Sequence, residues 1–249
     1  MNDSLASTPP ELKNLTTLLM RFRLGKYAVS ADIKKAFLNV ALHDDDRDVT
    51  RFLWLSDPTD PESELVTYRF RSVLFGATCS PFILNGKLMK HVNSNTSNTA
   101  ATVIARDLYV DNAISSFHRE DDLLNYFRYS RDLMTQAGFN FRSWSSNSMK
   151  LRNIANTEGV QETDSHTKTL GLMWDPDVDV MKFVTRTIEP SALSTKRTIC
   201  QQTSRIYDPL GLLSPVTIRA KILIQDLWKN GYDIRRRKHF DIGAANFKT

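Results

Sequence analysis

Two strand-like apolar runs, Tyr27–Ile33 and Val103–Val110, each place a carboxylate at their end: Asp32 in the first, Asp111 directly after the second. Short apolar runs of this length, bounded by turn residues, read as strands. A fold that seats both in one sheet brings the two acids together across 79 residues of chain. Like charges 4 Å apart repel by about 4 kcal/mol at an effective dielectric of 20, so such a pair needs a counter-charge. A divalent cation supplies one, because Mg²⁺ takes one or two carboxylates and leaves its other positions to water and substrate phosphates. Paired acids of this kind serve two-metal phosphoryl chemistry.

The remaining pattern predicts alternating helices and strands. Leu12–Arg23 has apolar Leu15, Leu18, Leu19 and Phe22 at helical spacing. Val49–Leu55 and Glu64–Arg71 read as strands joined by the turn-rich Ser56-Asp57-Pro58-Thr59-Asp60-Pro61. Ser80-Pro81 opens a helix, Ser as N-cap and Pro at the first helical position, which fades in the polar stretch 93–98. Val103–Val110 and Ala113–Phe117 flank Asp111-Asn112 as a hairpin tip. Arg119–Ala137 is a long helix stopped by Gly138, and Phe139–Trp144, Thr169–Trp174 and Val178–Val184 are further strands. Two helices, at 191–206 and 214–231, are separated by Asp208-Pro209-Leu210-Gly211. The order predicts an α+β fold with a largely antiparallel sheet and a boundary near Pro176–Pro190.

At 249 residues, 41% hydrophobic and 24% charged, the chain is long enough for a substantial core and has a globular composition. No apolar run reaches the ~18 residues that span a bilayer, so no membrane partner is expected. Met1-Asn2-Asp3-Ser4 lacks the basic start and apolar core of a signal peptide. Cys79 and Cys200 form neither a disulfide framework nor a metal set, which points to an intracellular, reducing setting without choosing between cytoplasm and nucleus. Residues 182–238 carry twelve Lys/Arg against Glu189, Asp208, Asp226 and Asp233, while the whole chain is only +5. A basic C-terminal third beside a mildly acidic body suits a polyanion held on one side; a solvated helical face plus a basic tail at Arg235–Lys238 accounts for it equally well.

Seven motifs stand in order: Ala31-Asp32-Ile33-Lys34-Lys35-Ala36-Phe37; Asp48-Val49-Thr50-Arg51-Phe52-Leu53-Trp54; Leu74-Phe75-Gly76-Ala77-Thr78-Cys79-Ser80-Pro81-Phe82; Tyr109-Val110-Asp111-Asn112; the stretch from Gly138 to Asn147; Leu170-Gly171-Leu172-Met173-Trp174; and the stretch from Tyr207 to Pro215. Any one alone is weak. Together, from about Leu15 to Lys229, they resemble the reverse transcriptase of Bel/Pao-type long-terminal-repeat retrotransposons. The resemblance implies a right-hand polymerase palm, an antiparallel sheet flanked by helices, with a helical partial thumb. It implies an RNA-directed DNA polymerase that adds deoxynucleoside triphosphates to a primer 3′-hydroxyl on an RNA or DNA template-primer duplex, with Mg²⁺ or Mn²⁺ as cofactor.

Residue by residue, the resemblance makes Asp32 and Asp111 the catalytic metal ligands, with the Ile33 carbonyl and Asn112 as further oxygens. Asn112 stands where the family pattern has a second Asp, and an amide oxygen coordinates without adding charge. From the residues alone, Asp32 could equally cap a short helix and Asp111-Asn112 could be turn chemistry. Phe37, Phe75, Gly76 and Tyr109 are implied around the nucleotide, where Phe37 and Tyr109 would otherwise be ordinary core aromatics. Gly76 would let backbone approach nucleic acid closely. Leu170, Gly171, Met173 and Trp174 are implied as a primer grip, or else form a plain strand. Ser143 takes the position where many polymerases carry a Lys that protonates pyrophosphate, leaving Arg142 as the nearest base.

The implied organisation is a palm with a remnant of fingers over 1–181, a partial thumb over 182–233 and a divergent basic tail over 234–249. Protease, connection, ribonuclease H and integrase regions are expected to belong to a parent polyprotein rather than to this chain. The competing expectation is a remnant without catalysis that binds nucleic acid or protein.

Overall fold

The computed structural model describes residues 2–6, 9, 12–164, 167–183 and 195–231. The predicted tail over 234–249, the start of the predicted helix at 191–194 and residues 184–190 of the predicted boundary lie outside them.

The architecture is α+β with antiparallel sheets, as the element order predicts. A four-stranded sheet runs in the order β4 (Leu108–Tyr109), β5 (Asn112–Phe117), β1 (Tyr27–Ile33), β6 (Phe141–Ser146). Strand β1 pairs antiparallel with both β5 and β6. It is buried along nearly its whole length because the sheet is covered on both faces. Val29, Ala31 and Ile33 alternate toward the larger core, shared with α2 (Ser80–Asn93), α3 (Thr99–Asp107) and α4 (Glu120–Gln136). Ala28, on the opposite face with Ser30 and Asp32, packs beside Ile114 against α1 (Leu15–Phe22) and the hairpin of β7 (Thr167–Thr169), β8 (Leu172–Asp175) and β9 (Val180–Lys182). Helix α1 follows from its sequence: the Asn14 side chain accepts from Thr17 N, and Leu18, Leu19 and Phe22 form the buried stripe.

Two ties fasten the sheet edges. Ser146 Oγ donates to the Ala28 carbonyl at 2.7 Å. Asp107, 1% exposed, ends α3 between Arg21 Nε at 3.1 Å, Arg106 Nη2 at 2.6 Å and Ser115 Oγ at 3.0 Å. With Arg106 and Ser115 as donors and Arg21 as an ion-pair neighbour, the buried carboxylate joins α1, α3 and β5, whereas one without them would be strongly destabilising.

Several sequence expectations are corrected. Val103–Val110 is not a strand: Asn98 caps α3, whose Ala100, Ala101 and Ile104 bury at helical spacing, and only Leu108–Tyr109 is extended. The β-branched content of that run mimicked a strand, but its apolar residues repeat every three to four positions. The hairpin tip is Val110-Asp111 rather than Asp111-Asn112, since Tyr109 pairs with Asn112. Ser80 is the first helical residue, not the cap, and its hydroxyl donates to the Leu74 carbonyl at 2.6 Å. Helix α5 (Met149–Thr157), capped by Ser148, was not foreseen.

The predicted hairpin of β2 (Arg51–Leu55) and β3 (Leu65–Arg69) is present and forms its own two-stranded sheet. It is exposed on both faces, one carrying Phe52, Trp54, Val66, Tyr68 and Phe70. At the C-terminal end, α6 (Lys196–Thr203) and α7 (Ser214–Lys229) pack as a helix pair, with the Lys196 ammonium 3.6 Å from the centre of the Trp228 ring.

Candidate active site

The sheet brings the two predicted carboxylates together. Asp32 lies opposite Asn112 in the β1–β5 register, and the amide N–H of Ile33 donates to the Asp111 carbonyl at 2.8 Å. Asp111 sits in the two-residue turn joining β4 to β5, directly past the end of β1. Val110 begins that turn at φ +56°, a conformation β-branched residues rarely adopt. Strain of this kind, held by surrounding structure, is a mark of functional sites.

The electrostatics reflect the crowding. Burial, and then the charge of Asp32, push the Asp111 carboxyl above the usual range, while a hydrogen bond from Asn112 Nδ2 at 2.8 Å pulls it down. Asp32 Oδ1 is buried without a hydrogen-bond partner, and Oδ2 has Arg142 Nε at 3.4 Å. An orphaned carboxylate oxygen beside a second carboxylate is an oxygen donor set that suits a hard divalent cation. Among the described residues no group of three or more His, Cys, Asp or Glu is placed to hold a metal. The pair, with the Asn112 amide and the Ile33 carbonyl as neutral oxygens, therefore fits an ion that completes its shell with water and phosphate oxygens.

Around this pair the predicted residues divide. Tyr109 pairs opposite Asn112 on the same face of the sheet as Asp32 and is half-buried. Leu170 and Gly171 form the tip of the β7–β8 hairpin; both have positive φ, +49° and +88°, the pattern of a type I′ turn. A Cβ on Gly171 would lie 2.5 Å from Tyr207 Cε1, so the glycine admits that ring. Leu170 and Tyr109 pack in the same cluster, and Met173 is half-buried. Trp174 is fully buried, edge-on to Phe22 at 4.9 Å, with its indole N–H donating to Asp179 at 3.0 Å. It braces the hairpin from inside and cannot touch a ligand. Phe37 is buried in the main core and meets the exposed Phe75 ring edge-on at 4.7 Å. Gly76 turns at φ +83° with open space where a Cβ would be, and its carbonyl accepts from Asn2 at 3.0 Å.

Two participants were not assigned these places from sequence. Tyr207 packs on Gly171 from the segment before α7, and burial followed by the nearness of Tyr109 pushes its phenol up. Arg142 stands directly opposite Asp32 on β6. Both depend on pairings between distant segments, to which local pattern carries no signal.

Comparison with known proteins agrees with this geometry at the level of fold. The family model described as "Pao retrotransposon-like RNaseH-like domain" matches residues 195–239. Against the expectation that ribonuclease H regions lie elsewhere, that description attaches a ribonuclease H-like relationship to the segment holding α6 and α7. Over 90% of its length the chain superposes on the foamy viral protease-reverse transcriptase in complex with RNA/DNA hybrid, with TM-score 0.57 and 12% identity. Over 95% it superposes on the foamy viral protease-reverse transcriptase dRH in complex with double-stranded DNA, with TM-score 0.60 and 12% identity. The chain spans 27% and 36% of those proteins' lengths. No curated protein matches. The chain thus has a fold similar to reverse transcriptase structures, and its match to the Pao retrotransposon-like model is confined to residues 195–239.

Proposed function

We propose that the chain is the palm and partial thumb of a Bel/Pao-type reverse transcriptase, an RNA-directed DNA polymerase working on a template-primer duplex with deoxynucleoside triphosphates. The observation that carries this reading is the meeting of Asp32 and Asp111 at adjoining chain positions of the sheet, with one Asp32 oxygen buried and without a hydrogen-bond partner. Bound there, Mg²⁺ or Mn²⁺ would supply charge neutralisation and an activated primer hydroxyl. The chain's own residues do the positioning. The β1–β5 pairing sets Asp32 opposite Asn112, and the Val110-Asp111 turn carries its carboxylate just beyond the ladder. The β7–β8 tip, braced by Trp174 and Tyr207, faces the same side as a surface for the primer end.

The test is template-primed deoxynucleotide incorporation with Mg²⁺ or Mn²⁺. Asp32→Ala and Asp111→Ala are each expected to cut it by about a hundredfold or more, as loss of a group acting in the transition state does. Folded protein that incorporates nothing, even with a fingers segment supplied, rejects the reading. Asn112 in place of an acid favours one rival, a nucleic-acid-binding remnant without catalysis. That rival predicts duplex binding that weakens steeply with salt and ignores Asp32→Ala.

A further inference from the structure

The β1–β6 ladder carries an irregularity beside the carboxylate pair. Ser30 pairs with Ser145, and a regular antiparallel register would then set Ser143 opposite Asp32. The register shifts between these positions, and Arg142 stands there instead. Ser143 takes up the extra residue at φ +50°, the left-handed region that serine seldom visits. A bulge of this kind bends one strand and re-aims a side chain, and bulges gather next to active sites. Here its effect is to exchange a hydroxyl for a guanidinium across from the acid. Arg142 Nε lies 3.4 Å from Asp32 Oδ2, and both side chains are partly open to solvent.

We infer that Arg142 is a resident counter-cation for the Asp32–Asp111 pair, placed by the β6 bulge, so that its charge and its hold on Asp32 Oδ2 compete with a divalent cation for the site. This rests on the reading that Asp32 and Asp111 hold such a cation. Two carboxylates crowded at strand ends destabilise the fold unless something positive is near, and Arg142 is the cation in contact with Asp32. The same guanidinium occupies a carboxylate oxygen that a cation would use, and its charge repels the incoming ion. Arg142 also lines a cavity of about 340 Å³ with Asn140 and two further cations, Lys34 and Arg131, so its charge has no opposite partner among the lining residues to hold it away from Asp32. Arg131 is held there by Glu158 and lies over the Phe127 ring. Because the Asp32–Arg142 pair is half open to water, its hold is modest and reversible, which suits a place-holder better than a permanent tie. Arg142 is thus a positioning residue that sets the affinity of the site and keeps Asp32 in place before the ion arrives.

Mn²⁺ titration calorimetry on the full chain tests this without any polymerase assay. Arg142→Gln should bind Mn²⁺ about fivefold more tightly than the parent, the range that a partly exposed ion pair spans. Arg142→Lys, which keeps the charge, should stay within about twofold of the parent if charge is what competes. Asp32→Asn should abolish the heat in every background. Melting in chelator offers a second readout: Arg142→Gln should unfold at a lower temperature than the parent, and saturating Mn²⁺ should raise its melting point by more. Equal or weaker Mn²⁺ affinity in Arg142→Gln, with binding still dependent on Asp32, overturns the inference and leaves the metal site standing. Absence of any Asp32-dependent binding in parent and variant alike overturns both.

Discussion

The turns at Val110-Asp111 and Leu170-Gly171 both reverse the chain in two residues on the same side of the sheet, yet they use opposite kinds of residue. Leu170 and Gly171 take positive φ at both positions, as a type I′ hairpin demands, and Gly171 further makes room for the Tyr207 ring. That turn is chosen for fit. At the other, only the first position has positive φ, the place where a type II′ turn expects glycine, and the chain puts Val110 there. Asp111 follows, with its carboxyl pushed toward the protonated form. That turn is chosen for what it presents. Comparing them separates residues that serve folding from residues that fold at a cost because the site needs them.

Substitutions can break or sharpen the contrast. The largest effect is expected for Gly171→Ala, which adds left-handed strain and drives a methyl into Tyr207. It should cost about 1–3 kcal/mol in denaturant melts; a cost below ~0.5 kcal/mol, the level of an ordinary surface change, would dissolve the distinction. Asp111→Asn should go the other way. A carboxyl whose folded pKa is raised stabilises the fold least above that pKa, and the deficit vanishes as pH falls below the unfolded value. The amide should therefore raise the melting temperature at pH 7, and lose that advantage as the buffer is taken into the carboxylate range. An advantage that does not change with pH would mean packing, not charge, is responsible. Val110→Gly should be smallest, within about 0.5 kcal/mol of the parent, because relief of strain is offset by lost contact and a more flexible unfolded chain. A clear gain would show that Val110 contributes little beyond strain.

Much of the site was readable before the fold was known, for a physical reason. Asp32 lies near the end of a strand that pattern located, whereas Asp111 follows a run read as strand that is mostly helix, its turn being marked by the residue types alone. The β1 strand, the β2–β3 hairpin and α4 followed from periodicity and turn residues that act within a few positions. The failures lie where one local signal overrode another. In Thr99–Asp107 β-branched residues suggested a strand while the spacing of Ala100, Ala101 and Ile104 made a helix. In Met149–Thr157 polar residues hid a capped helix whose Leu151 and Ala155 are fully buried. The β6 bulge was beyond reach altogether. Which of Arg142 and Ser143 faces Asp32 is decided by register against β1, more than a hundred residues away, and no window along the chain records it.

The β2–β3 hairpin governs how the isolated chain behaves in a test tube. As a separate two-stranded sheet it leaves N–H and C=O groups along its outer edges to water, next to rings such as Trp54 and Tyr68. Any extended strand offered by a neighbour can add to such an edge. Arg51 and Arg69, the basic residues of the two strands, are both paired with Asp48, so their charge does little to keep copies apart. Concentrated stocks of the isolated chain are therefore expected to associate through this hairpin at any ionic strength, and a strand or partner laid on its edges is expected to keep them apart.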